Sequence, residues 1–322
     1  MNKVKPKLFS IHSNDMIQYY SIQTDDESKP LLLYIHGGPG GANIALSSIL
    51  DLKSKLTKHF SIVQYDQRGS GKTYSKSLLP EELSIDFIID DFKKLICFLL
   101  EKYNQKKIYL VGHSFGSILG LRLCKEIPQF IHAYLGISQL INMKESERYC
   151  TQEALKLAEE KQNQKVKTML IRSMNLFDKN QVSEYIKLQR SAMAKIGGYN
   201  FNQKSFNPNL LFVISALSPL YSIKDAFNMK KGLLFSTDVL WKDIMNINLF
   251  NENYHYKVPI YFITGAKDMI APLYLVENYL KNATAPKKKI ILFEKSGHLP
   301  NVEEKDLYEE KVIELFIHRK EE

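Results

Sequence analysis

The sequence predicts an α/β fold: a mostly parallel central sheet with helices on both faces and an inserted helical block. Three observations predict it. Short apolar runs ending in glycine alternate with stretches of helical periodicity, and such alternation builds parallel sheets. The alternation stops between residues 140 and 250 and then resumes. The residues that carry chemistry fall directly after the apolar runs, where ligands bind in sheets of this class.

The elements follow in order. LFSIHSNDMIQYYSIQ (8–23) reads as a β-hairpin turning at Asn14-Asp15. PLLLYIHGG (30–38) is a buried strand running into a glycine loop, and FSIVQYD (60–66) is a second strand. Residues 84–103 read as a helix, because Ile85, Ile88, Ile89, Phe92, Leu95, Ile96, Leu99 and Leu100 keep a 3.6-residue period. Ser84 is its expected N-cap. KIYLVG (107–112) is a strand, SILGLRLCKEI (117–127) a helix stopped by Pro128, and HAYLGIS (132–138) a strand. QEALKLAEEKQNQKVKTMLIR and QVSEYIKLQRSAMAKI are charged and helical, with no strand between them. The rhythm returns with VPIYFITG (258–265), a helix over 272–283, the strand KKIILFE (288–294) and a last helix over 303–318. The expected division is a sheet domain of residues 1–138 and 255–322, with a helical cap at 139–254. The first seven and last five residues are expected to fray.

Composition narrows the function classes. The chain has 322 residues, 44% hydrophobic and 25% charged, which is ordinary for a globular protein. Its net charge is +9, but the lysines are scattered and no basic stripe is interleaved with aromatics, so nucleic acid is not an expected partner. Cys97, Cys124 and Cys150 have neither disulfide-framework nor zinc spacing. No apolar h-region follows the N-terminus and no run reaches the ~18 residues of a membrane span, so membrane insertion is not expected and a reducing cytoplasm is. No metal or organic cofactor is implied.

LVGHSFGS carries G-x-S-x-G at Gly112, Ser114 and Gly116, after a predicted strand and before a predicted helix. That is the setting of a nucleophile elbow, a turn so tight that only small residues fit two positions either side of the serine. A serine hydroxyl needs a base, and a histidine base needs a carboxylate to hold its tautomer. Asp268, in GAKD after one strand, and His298, in KSGH after the next, supply them in the order serine, acid, histidine. The oxyanion hole needs two backbone N–H groups. Phe115, following the nucleophile, offers one, and the HGGPGG loop (36–41) offers the other.

GSGKT at 69–73 looks like the end of a phosphate loop, but a Walker motif would have glycine at the position of Asp66. A carboxylate there repels phosphate, and no helix starts at Lys72-Thr73. Asp66 and Arg68 are instead expected to brace neighbouring loops near HGGPGG.

HGGPGG, DQRGSGKT, GHSFGS, GAKD and SGH, in this order, resemble the branch of the α/β-hydrolases that contains the proline iminopeptidases. The HGGPG and DQRGxG pair is the more specific part, and the resemblance covers the expected sheet domain. It implies a Ser114–Asp268–His298 triad with Gly38 and Phe115 as oxyanion donors. Gly37 and His113, beside them, are the expected substrate contacts. Proline iminopeptidases often have tryptophan after the nucleophile and glycine before it, where this chain has Phe115 and His113. In that family cap carboxylates hold the substrate's amino group; Glu184, Asp225 and Asp238 lie in the right region, and no cap stretch matches the family signature. Trp241 reads as packing. The implied activity is release of an N-terminal proline or small apolar residue from a small peptide through an acyl-enzyme. The alternatives are an esterase, lactonase or thioesterase on small acyl substrates, a non-catalytic ligand binder, and the NTPase that GSGKT suggests.

Overall fold

The computed structural model describes residues 3–205, 207 and 209–317. Its eight strands are β1 (Lys7–Ser13), β2 (Met16–Gln23), β3 (Leu31–Ile35), β4 (Ser61–Asp66), β5 (Ile108–His113), β6 (Ile131–Ile137), β7 (Ile260–Gly265) and β8 (Lys288–Phe293). They form one sheet in the order β1-β2-β4-β3-β5-β6-β7-β8. From β4 to the β8 edge every pairing is parallel, while β2 runs antiparallel to both β1 and β4. The hairpin turns where the sequence places it: Asn14 and Asp15 both take positive φ, 48° and 58°, which suits a two-residue turn between twisted strands.

All five residues of β3 are buried, because both faces of the sheet are covered. Leu31, Leu33 and Ile35 join the larger core with α2 (Ile85–Lys102) and α3 (Phe115–Glu126), while Leu32 and Tyr34 face the opposite core. The period-2 alternation of a strand produces this split. On α2 the eight apolar residues of the predicted stripe are all buried, and Ser84 Oγ accepts the Phe87 N–H at 3.1 Å as N-cap.

Among the described residues five α-helices lie between β6 and β7: α4 (Met143–Glu160), α5 (Gln164–Asp178), α6 (Val182–Ile196), α7 (Asn209–Ala216) and α8 (Ile223–Ile244). The long charged run expected as one helical stretch is divided. Gln162 takes φ 53°, and Asn163 caps α5 by accepting the Val166 N–H at 3.1 Å. The remaining α-helices among the described residues are α1 (Ile44–Leu50), α9 (Leu273–Asn282), α10 (Pro300–Glu303) and α11 (Lys305–Phe316).

The last predicted helix is α11, and the short α10 precedes it. The break at Glu304 frees two carboxylates to hold the preceding loop: Glu303 accepts the Gly297 N–H at 2.7 Å, and Glu304 accepts Lys295 N–H at 3.0 Å and Ser296 Oγ at 2.7 Å. The expected fraying of the first seven residues is only partly a matter for the described residues. Residues 1, 2 and 318–322 lie outside them. Val4 is held, donating to Leu52 O and accepting from Gln23 Nε2, and Lys7 opens β1. Among the described residues no helix is long and apolar enough to cross a membrane.

Candidate active site

Ser114 stands between β5 and α3 at φ 54°, ψ −122°. The glycines around it are required by contact. A Cβ on Gly116 would sit 2.1 Å from Ile35 O, and one on Gly112 would sit 2.5 Å from Gly116 O. The elbow is thus pressed against the end of β3, and its serine points above the sheet.

The structure brings the other two predicted residues to it. His298 Nε2 lies 3.0 Å from Ser114 Oγ, and His298 Nδ1 lies 3.0 Å from each Asp268 oxygen. A carboxylate can only accept, so Nδ1 carries the proton and Nε2 turns its lone pair toward the serine hydroxyl. Asp268 Oδ1 also accepts the N–H groups of Ile270 (2.8 Å) and Ala271 (2.9 Å). Burial pushes this carboxyl up, but the His298 imidazole and the hydrogen bonds outweigh it and hold the pKa below the ordinary value.

Backbone contacts fix the histidine. His298 N–H donates to Tyr199 O at 2.9 Å, and His298 O accepts from Ser138 Oγ at 3.2 Å and from His113 Nε2 at 2.9 Å. His113, the expected substrate contact, braces the loop of His298 through its Nε2. Burial first, and then the neighbouring His298, push the His113 pKa down to about 4, so the ring is neutral at physiological pH.

The glycine loop is held by its own His36 and by Gln67 of the DQRG stretch. Gln67 N–H donates to His36 Nε2 at 3.2 Å, so the His36 proton sits on Nδ1, which donates to Gly37 O at 2.9 Å. Gln67 Nε2 adds a bond to His36 O at 2.8 Å. Burial takes His36 down to about 4 and keeps it neutral. With the Gly37 carbonyl held toward His36, the planar trans peptide turns the Gly38 N–H the opposite way. Gly37 touches Ser114: a Cβ there would lie 2.9 Å from Ser114 Cβ and 3.5 Å from Oγ. Phe115 is the first residue of α3, so its N–H has no acceptor within the helix, while its side chain is buried.

The stretch 64–74 is a brace, with one redirection. Asp66 accepts the N–H groups of Asn43 (3.2 Å) and Ile44 (3.3 Å), just past the glycine loop, the N–H of Lys72 (3.0 Å) and the O–H of Tyr221. Burial raises its carboxyl to about 6, against the pull of these hydrogen bonds. Among the described residues Arg68 shows no side-chain hydrogen bond to HGGPGG. It makes a two-pronged pair with Asp91 of α2, at 2.8 and 2.9 Å, both side chains buried. Gln67 makes the contact to the glycine loop that Arg68 was expected to make. Gly71 sits at φ +48°, where a Cβ would strike the Tyr221 hydroxyl at 2.2 Å. Lys72, the would-be phosphate ligand, is paired with Asp225 at 2.6 Å.

Helix α8 rests on both loops. A Cβ on Gly232 would lie 2.5 Å from Gly69 O, and one on Gly40 would lie 2.6 Å from Ser236 Cβ. Ser236 Oγ donates to Gly69 O at 3.0 Å. The three cap carboxylates have other surroundings. Asp225 binds Lys72 and caps α8 through Ser222, Asp238 binds Lys187 and Ser183, and Glu184 is exposed on the first turn of α6. A fourth, Glu147 on α4, is fully buried and accepts from Arg190, Tyr185 and Gln189. The Arg190 guanidinium lies 5.3 Å from the Trp241 ring, and Trp241 is packed as expected.

Residues 30–305 match the family described by the alpha/beta hydrolase fold. The chain belongs to the alpha/beta hydrolase family. It is 30% identical over 291 residues to a Bacillus subtilis (strain 168) protein named "Probable aminopeptidase YbaC", covering 90% of each chain. It is 26% identical over 307 residues to the proline iminopeptidase of Saccharolobus solfataricus, covering 93% of this chain and 88% of that one. Among solved structures, the proline iminopeptidase of Mycobacterium smegmatis matches this hydrolase fold with a TM-score of 0.69 at 13% identity, over 97% and 98% of the two chains.

Proposed function

We propose that this alpha/beta hydrolase is a serine aminopeptidase of proline iminopeptidase type. The observation that carries the hydrolase chemistry is the unbroken hydrogen-bond chain from Ser114 through His298 to Asp268. In this reading Ser114 Oγ attacks the carbonyl carbon of the N-terminal residue and His298 Nε2 takes the hydroxyl proton. The N–H groups of Gly38 and Phe115 hold the oxyanion. The intermediate collapses, His298 returns the proton to the leaving amine, and an acyl ester remains on Ser114. Water, deprotonated by His298, hydrolyses the ester and regenerates the enzyme. Residues 139–254 form a lid whose α8 closes on the glycine loop. The small-peptide substrate is supported by the HGGPG and DQRGxG pair and by the names of the relatives.

One observation favours a second reading, hydrolysis of small esters or thioesters. Asp225 and Asp238 are ion-paired with lysines and Glu147 with Arg190, so these lid carboxylates have cations already. A panel of aminoacyl-amides, proline included, with free and blocked amino groups separates the two. Cleavage only with a free amine supports the peptidase. Hydrolysis of simple esters with no amide cleaved would overturn it, and no turnover of either, with no fluorophosphonate labelling of Ser114, would overturn the hydrolase reading itself.

A further inference from the structure

Helices α7 and α8 carry an apolar surface that the described residues leave uncovered. Leu210, Val213 and Leu217 project from α7 and its end, and Ile223, Phe227 and Leu234 from α8, all exposed; Leu217 is 73% and Ile223 68% accessible. They belong together. Phe212 of α7 lies against Phe227 of α8, ring centroids 5.0 Å apart. Ile223, Phe227 and Leu234 follow at intervals of four and seven residues, which is one face of a helix. The opposite face of α8 carries Ala226, Gly232 and Ser236, buried against the body of the protein. Isolated exposed leucines need no explanation, but a contiguous ridge of this kind marks a surface that meets something.

The charges around the ridge say what it meets. Lys224, Lys230 and Lys231 are exposed on α8 beside these apolar side chains and form no ion pair among the described residues. From residue 205 to residue 237 the sequence has one acidic residue, Asp225, and it is held by Lys72 and Ser222. We infer that this ridge is a docking surface for an anionic lipid bilayer, on which the protein lies without spanning it. Apolar side chains enter the interface and the lysines meet lipid phosphates, the division of labour of an interfacial amphipathic helix. The chain's net charge of +9 adds long-range attraction to the same surface. A second copy of the chain is the poorer occupant, because a two-fold contact through this ridge sets the three lysines against their own counterparts. The inference is independent of which acyl substrate Ser114 attacks.

Co-sedimentation of the full chain with vesicles tests it. The protein should pellet with phosphatidylcholine vesicles containing phosphatidylglycerol and much less with phosphatidylcholine alone, and added salt should release it. Leu217→Glu with Phe227→Glu should abolish pelleting while circular dichroism and hydrolysis of a small soluble ester are unchanged. Reversing Lys224, Lys230 and Lys231 to glutamate, all on the surface, should weaken binding to the anionic vesicles by about a hundredfold or more. Absence of vesicle binding, or binding indifferent to both sets of substitutions, overturns the inference. So does a dimer in sedimentation that Leu217→Glu with Phe227→Glu dissolves while vesicles leave it intact.

Discussion

His36 holds the carbonyl of its own neighbour: its Nδ1 donates to Gly37 O at 2.9 Å, and Gln67 N–H on the other ring nitrogen makes that the protonated one. The consequence falls on the next peptide, since a carbonyl fixed on one side fixes the following N–H on the other. His36→Ala should therefore act through Gly38. We expect kcat to fall by about 10–10²-fold with KM little changed, because the oxyanion donor proposed for Gly38 would act in the transition state. Affinity for a boronic acid that mimics the tetrahedral adduct should fall in parallel. A loss confined to KM would refute this coupling.

Asp268→Asn separates geometry from tautomer. The amide keeps the size of the carboxylate, but its nitrogen can meet His298 Nδ1 only as a donor, which moves the imidazole proton to Nε2 and faces it toward Ser114. Turnover should drop by about 10⁴-fold with the melting temperature near wild type. Ser114→Ala should remove fluorophosphonate labelling altogether.

How much of this site was legible depends on sequence distance. The elbow could be read because strand, glycines and helix are contiguous, and Asp268 and His298 because each follows a strand. The strands and α2 were legible because side-chain period reports burial. What was hidden are side-chain pairings across the chain. Asp225 lies in the region searched for an amine-binding carboxylate, yet its partner is Lys72, 153 residues away. Glu147 sits in a helix whose charged composition is that of a solvated face, and only Arg190, 43 residues on, explains its burial. Gln67 stands in the DQRG motif between two charged residues, and nothing in its neutral side chain marks it off from them. The break at Glu304 has no glycine or proline at the break itself, and its cause is the loop that Glu303 and Glu304 bind.

Arg68→Ala should destabilise the fold without touching nucleotide binding. It leaves Asp91 buried, with Asn14 Nδ2 at 2.7 Å and Ser13 Oγ at 3.4 Å as its remaining partners. Breaking one side of a buried ion pair costs about 3–5 kcal/mol. Replacing both residues with apolar ones, Arg68→Met with Asp91→Leu, should cost less than the single change. Urea unfolding measures both, and an Arg68→Ala variant as stable as wild type would remove the bracing role.

Two buried groups bend the stability curve in opposite directions with pH. His36 has a folded pKa of about 4 against an ordinary 6.5. The unfolded chain takes up the proton first as pH falls, so the neutral ring's contribution is full above about 6.5 and is lost as pH falls to about 4. Between pH 7 and pH 5 that loss is about 2 kcal/mol. Asp66 runs the other way. Its folded pKa is raised to about 6 from 3.8, so its contribution is greatest below the lower value and declines as pH rises to the upper one. His36→Gln should flatten the gain in stability from pH 5 to pH 7, whereas Asp66→Asn should steepen it. Urea unfolding of the three proteins across this range gives the slopes. Identical slopes would mean that neither group changes its proton affinity on folding.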